Sequence, residues 1–209
     1  MESRTTTGIG VASLALIGLF AGCLPEAEIQ SAVSETPNFV IILLDDVGYG
    51  DFGSFGHPTI RTPHIDRLAG QGVKLTGFYA ASPACSPSRA GLLTGRYPVR
   101  AGIFWALGPD ERNGISAEEW TLAEALSERG YRTAAIGKWH LGAEPGFLPT
   151  EHGFDSFYGL LYSNDMMRPW VDTDRPLELY RDTEPIEHPV EQTTLTRRYT
   201  EEAVRFIEE

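Results

Sequence analysis

The sequence predicts an α/β fold in which a mostly parallel central sheet carries helices on both faces. The first sign is Phe39-Val40-Ile41-Ile42-Leu43-Leu44, an unbroken apolar run that stops at Asp45. A continuous run, as opposed to an alternating one, fits a strand covered on both sides, as in a parallel sheet between helix layers. The second is the alternation of strand-like and helix-like segments that follows it. The third is placement: Asp45-Asp46, Cys85 and the Lys138/His140 pair each come just after a predicted strand. In open parallel sheets ligands bind beyond the carboxyl ends of the strands, so these scattered segments are expected to meet at one edge.

At 209 residues the chain is long enough for one substantial core. Seventeen Lys and Arg against 29 Asp and Glu give a net charge of -12. Such a chain lacks the basic footprint that nucleic acid requires, which argues against that partner. Its overall field also repels anions, so an anion site has to be built locally from clustered Lys, Arg, His or metal.

The amino terminus reads as a processed segment, residues 1–23. Arg4 supplies a positive start, and residues 8–20 form an apolar run too short to span a bilayer comfortably. Phe20-Ala21-Gly22-Cys23 resembles a bacterial lipobox, in which Cys23 becomes the lipidated first residue of the mature protein. Phe20 stands where Leu is usual, and an ordinary cleaved signal or a signal anchor are the competing readings. All of them export the chain; the lipobox implies a periplasmic or outer-membrane lipoprotein held to the membrane by its lipid. Residues 24–36, with Pro25, Glu26, Glu28, Ser31, Ser34 and Glu35, read as a polar tether, and the folded domain is expected over 37–209. The only cysteines are Cys23 and Cys85. Either they bridge, or each is consumed by its own modification.

Within the domain, the strand over 39–44 delivers two adjacent carboxylates, Asp45 and Asp46. Beside a buried strand these are costly unless positive charge lies close; the alternative is a solvated acidic loop. Gly48, Gly50, Gly53 and Gly56 then make a loop ending in His57-Pro58, and His57 and His64 read as loop histidines. Thr62-Pro63 starts a short helix through Ile65, Leu68 and Ala69 that Gly70 and Gly72 end. Residues 73–79 read as a strand leading to Ser82-Pro83-Ala84.

Next comes Cys85-Ser86-Pro87-Ser88-Arg89-Ala90-Gly91-Leu92-Leu93-Thr94-Gly95-Arg96. Proline suits the first helical position, Ser86 suits the cap before it, and Gly95 suits the stop. Cys85 therefore sits at or just before a helix N-terminus. Free N–H groups, the helix dipole and Arg89 one turn on all stabilise an anion there.

Residues 97–114 are punctuated by Gly and Pro, with Phe104-Trp105 as rim or packing residues. A helix is expected over 121–129, with Leu122, Ala125 and Leu126 on one face and Gly130 as the stop. Residues 133–136 form a strand running into Gly137-Lys138-Trp139-His140-Leu141-Gly142, where a spacing of two puts Lys138 and His140 on one side if the chain stays extended. Residues 177–180 and 184–187 suggest a hairpin around Arg181-Asp182-Thr183, with Pro185 favouring an edge. Residues 194–209 read as an amphipathic helix using Leu195, Tyr199, Ala203, Val204, Phe206 and Ile207, with no stop signal.

The twelve-residue run from Cys85 to Arg96 resembles the signature of the type I sulfatases, formylglycine-dependent members of the alkaline phosphatase superfamily. The resemblance covers residues 37–209 and leans towards the arylsulfatase A-like and N-acetylgalactosamine-6-sulfatase-like branch. It implies that a formylglycine-generating enzyme oxidises Cys85 to an aldehyde whose hydrate attacks sulfur. It also implies calcium held by Asp45, Asp46 and modified Cys85, with Arg89 steadying the hydrate and Lys138 offsetting sulfate charge. His140 would draw a proton from the second hydroxyl. Leu161-Tyr162-Ser163-Asn164-Asp165 resembles the segment whose serine contacts sulfate, which implies that role for Ser163. The implied substrate is a sulfated small molecule or glycan.

Members of that family run longer, and their later part supplies another histidine, an Asp-Asn pair on the metal and a lysine. The chain is therefore expected to be a front portion that alone binds calcium weakly and turns over little substrate. Two other functions compete: a phosphoester or phosphonate hydrolase of the same superfamily, and a non-catalytic, exported glycan-binding lipoprotein.

Overall fold

The structure is a computed structural model that describes residues 36–209. The expected signal segment, Cys23 and all of the tether up to residue 35 lie outside the described residues. The chain divides into two units, Met1–Leu43 and Leu44–Glu209. In the first, residues 36–43 carry neither helix nor strand.

The strand expected over 39–44 is therefore not formed. Its side chains stand open to solvent, Ile42 at 74% exposure. An apolar run becomes a central strand only where a ladder and two covering layers receive it, and no sheet among the described residues includes this one. The strand expected over 73–79 fails for the same reason: the segment is a turn-containing loop with Val73 84% exposed.

In the second unit, helix α1 spans Pro63–Gln71, opened by proline in its first turn and closed by Gly72; Gly70 lies inside it and does not end it. Asp66 on α1 accepts from the Thr62 hydroxyl at 2.8 Å and from the Ser54 N–H at 2.6 Å, which ties the glycine loop to the helix. Helix α2 covers Cys85–Thr94. Helix α3, Leu122–Ser127, is shorter than expected but begins as the sequence suggests. Thr121 caps it in a reciprocal box: its hydroxyl accepts from the Glu124 N–H at 3.2 Å, and the Glu124 carboxylate accepts from the Thr121 N–H at 2.7 Å.

Four strands follow in the order β1-β2-β3-β4: Ala134–Lys138, Ser156–Leu160, Leu179–Arg181 and Glu184–Glu187. β1 and β2 are parallel, in register from Ala134 opposite Ser156 to Lys138 opposite Leu160. β3 joins β2 antiparallel and turns into β4 as the expected hairpin, with Pro185 on the edge strand. The α/β class holds, but the sheet is mixed, with one parallel pair. The two early strands that would have extended it do not pair, and the hairpin adds two antiparallel ones.

Gly159 is what lets β1 and β2 approach. A Cβ placed on it would stand 1.8 Å from the Gly137 carbonyl oxygen. Helix α4, Leu195–Glu208, lies against this sheet through Tyr199, whose ring meets Tyr158 edge-on at 6.2 Å. The core gathers Phe157, Leu160 and Leu179 from the strands with Ile103, Ile115 and Leu141 from the connecting loops. No helix among the described residues is long and apolar enough to cross a membrane.

Candidate functional site

Cys85 is the first residue of α2, preceded by Ala84 at the cap position. This corrects the expected capping in detail: Pro87 falls one position short of a full turn in, and Ser86 does not cap. First-turn N–H groups have no partner within a helix, so proline is tolerated there too. The Ser86 hydroxyl is turned into the protein, where its Oγ accepts from the Leu107 N–H at 3.0 Å. Gly95, at φ 65°, ends the helix with its N–H on the Gly91 carbonyl at 3.0 Å. Cys85 is a free, half-buried thiol. Arg89, four residues on, shares its helical face.

Arg89 joins three segments. One guanidinium nitrogen donates to Asp45 at 3.1 Å, and another donates to the backbone carbonyl of Lys138. The Lys138 ammonium makes an ion pair with the same Asp45 carboxylate and lies 3.3 Å from the Ser163 hydroxyl. Lys138 is the last residue of β1, and Ser163 follows closely on the end of β2. The two strands are parallel, so both groups emerge at one sheet edge. Burial pushes the Asp45 carboxyl up, but the hydrogen bond and charge of Lys138, with those of Arg89, outweigh it and leave it below its ordinary value.

Asp45, Arg89, Lys138 and Ser163 thus form one connected cluster. Of the segments expected to converge from strand ends, only Lys138 leaves a strand; Asp45 lies on a loop and Cys85 opens a helix, while Ser163, implied by the resemblance alone, follows β2. Asp46 departs from expectation. It sits at φ 54° and is exposed, so the adjacent carboxylates do not enter the cluster together.

His140 departs differently. The chain turns left-handed there, at φ 60°, so the alternation that would put it beside Lys138 is broken. The imidazole is buried, and its Nε2 lies 2.7 Å from the Leu107 carbonyl. A carbonyl only accepts, so Nε2 carries the proton and Nδ1 keeps the lone pair. That Nδ1 has no hydrogen-bond partner among the described residues. Burial is the main cause that pushes the ring down to about 4; the Leu107 hydrogen bond opposes it, and the charges of Lys138 and Arg89 add to it. The ring lines a small cleft with Leu107, Glu111, Asn113 and Tyr162.

Sequence reasoning missed the bond from Ser86 to Leu107 and the role of the Leu107 carbonyl. A backbone acceptor in a Gly- and Pro-punctuated loop leaves no signal in residue type. It also missed Glu119, a buried carboxylate that pairs with Arg96 at the end of the signature run.

Calcium takes about six to eight oxygen ligands. Among the described residues no three His, Cys, Asp or Glu side chains gather as a set that could hold a metal, and the Asp45 charge is already answered by two cations. These residues by themselves do not fit a complete calcium site. An ammonium, a guanidinium and a hydroxyl are instead the donor types that suit an oxyanion.

A family profile described as Sulfatase matches residues 37–209. The chain is 50% identical over 137 residues to arylsulfatase A of Bos taurus, covering 64% of this chain and 27% of that protein. It is 39% identical over 213 residues to N-acetylgalactosamine-6-sulfatase of Mus musculus, covering 93% of this chain and 39% of that protein. Among solved structures, the PsFucS1 sulfatase from Pseudoalteromonas sp. superposes with a TM-score of 0.67 at 34% identity, over 79% of this chain and 39% of that one. The chain thus spans well under half the length of these relatives.

Proposed function

The chain belongs to the sulfatase family, and from that membership we propose that the whole protein hydrolyses sulfate esters, with residue 85 as the nucleophile. The observation that carries this reading is the Asp45–Lys138–Arg89 cluster, with Ser163 at its edge and Arg89 on the same helical face as Cys85. Oxidised to formylglycine by a formylglycine-generating enzyme, residue 85 supplies a hydrated aldehyde, one hydroxyl of which attacks sulfur as the ester S–O bond breaks and the alcohol leaves, so that the sulfate is carried on residue 85 until the aldehyde re-forms. Arg89 holds that residue's anionic forms, being fixed in turn by Asp45 and the Lys138 carbonyl. Lys138 and Ser163 neutralise charge that builds on the sulfate oxygens. The free lone pair of His140 Nδ1 is the acceptor for the proton of the second hydroxyl, whose loss releases sulfate.

Calcium belongs to the proposal for the whole protein only, with Asp45 and Asp46 offering carboxylate oxygens, and no step above passes through it. The substrate class is a sulfated small molecule or glycan, supported by relatives named for aryl sulfates and for N-acetylgalactosamine 6-sulfate. Export and lipidation at Cys23 rest on residues 20–23. Cys23→Ser is expected to stop incorporation of labelled fatty acid, and undiminished labelling would refute the anchor.

The activity is tested with Cys85→Ala in the full chain. Loss of aryl sulfate hydrolysis is expected; near wild-type turnover would rule the nucleophile out. An aryl phosphate assayed in parallel, if turned over faster than the sulfate, would favour a phosphoester hydrolase.

A further inference from the structure

We propose that Ser86 is a positioning residue that fixes the tautomer and placement of the His140 imidazole, acting through the main chain of Leu107. This rests on the proposed sulfatase activity only for its kinetic consequence.

Both backbone groups of Leu107 are gripped. Its N–H donates to Ser86 Oγ at 3.0 Å, and its carbonyl accepts from His140 Nε2 at 2.7 Å. Ser86 is 0% exposed, Leu107 6% and His140 1%, so water does not substitute for either bond. The peptide units around Leu107 therefore bridge helix α2 to the exit of β1. Ser86 is the neighbour of Cys85 on α2, so the bridge couples the register of the nucleophile-bearing helix to the orientation of the ring.

The orientation matters because only one ring nitrogen is tied. With the proton on Nε2, the buried Nδ1 is left as an unpartnered acceptor. A buried acceptor without a donor is costly, and such groups mark functional positions. Removing the Ser86 hydroxyl would leave the Leu107 N–H buried and unpaired. The loop would then shift to find a partner, and the carbonyl that selects the Nε2–H tautomer would move with it.

The isosteric pair Ser86→Thr and Ser86→Val tests this, because the two variants differ only in the hydroxyl; Ser86→Ala removes the hydroxyl without adding bulk. The full chain, labelled with 15N-histidine, is examined for the His140 ring nitrogens. Single-tautomer signals are expected in wild type and S86T, and averaged signals from mixed tautomers in S86A and S86V. On an aryl sulfate, with rates normalised to formylglycine content by mass spectrometry, kcat is expected to fall about tenfold in S86A and S86V with KM unchanged. S86T is expected to recover it. A single Nε2–H tautomer in folded S86A would overturn the proposal, as would a loss of rate explained wholly by lost formylglycine. The tautomer signals need no turnover. Absence of sulfate hydrolysis in every protein would therefore count against the activity, while the signals still decide the role of Ser86.

Discussion

Lys138 answers Asp45 and reaches Ser163 with a single ammonium, and its own carbonyl holds Arg89. Lys138→Met keeps the stem and the backbone acceptor but removes the charge. The expected outcome in the full chain is a fall of about 10²-fold in kcat/KM for an aryl sulfate. An unchanged value would remove Lys138 from the anion site. His140 gives a pH signature. Its ordinary value is 6.5 and burial lowers it to about 4 in the folded protein. Above 6.5 both states are neutral and the fold is undiminished. As pH falls from 6.5 towards 4, the unfolded chain takes up a proton that the folded ring refuses. On the order of 3 kcal/mol of stability is lost across that window. His152, lowered chiefly by burial, adds in the same direction. Urea unfolding at pH 7.5 and 4.5 should show a larger drop for wild type than for His140→Asn; equal drops would contradict the assignment. At this scale the helix start at Cys85 was legible from Pro87 and Gly95, and the meeting of Lys138 with Asp45 from the strand ends, whereas Ser163 was reached only through the resemblance. Asp46 and the Leu107 carbonyl were not legible, because their roles depend on a backbone turn and a loop path.

Helix α2 and the β3–β4 hairpin were readable from local chemistry: Gly95 and Pro185 each act where they stand. The strands expected over 39–44 and 73–79 were not, because a strand is completed by partners distant in sequence and an apolar run records only readiness to pair. The parallel β1–β2 pair shows what such completion needs. Its two backbones close on Gly159, where any side chain meets the Gly137 carbonyl at far less than contact distance. Gly159→Ala is expected to cost about 3 kcal/mol or to prevent folding. Chemical denaturation checks this, and a midpoint equal to wild type would mean that the strand spacing is less strict than the register implies. The geometry at the carboxyl ends of β1 and β2, where Lys138 and Ser163 emerge, depends on that spacing.

For the whole molecule, the acidic balance of -12 and the cationic cluster belong together. An anion is drawn to such a chain only by a local concentration of positive charge, and Lys138 and Arg89 are two cations brought together on one carboxylate. The cluster is nonetheless partial: one carboxylate neutralised by two cations is a place for an anion more than for a divalent metal. The chain spans 27% to 39% of the lengths of the two curated relatives described above. The proposed hydrolysis stands or falls on what becomes of residue 85. The direct measurement is the mass of the tryptic peptide over residues 75–89, from the full chain made in a host that carries a formylglycine-generating enzyme. The expected peptide has lost one sulfur and two hydrogens and gained one oxygen, the change from cysteine to aldehyde. A peptide that keeps its sulfur would contradict the nucleophile, and with it the proposed hydrolysis.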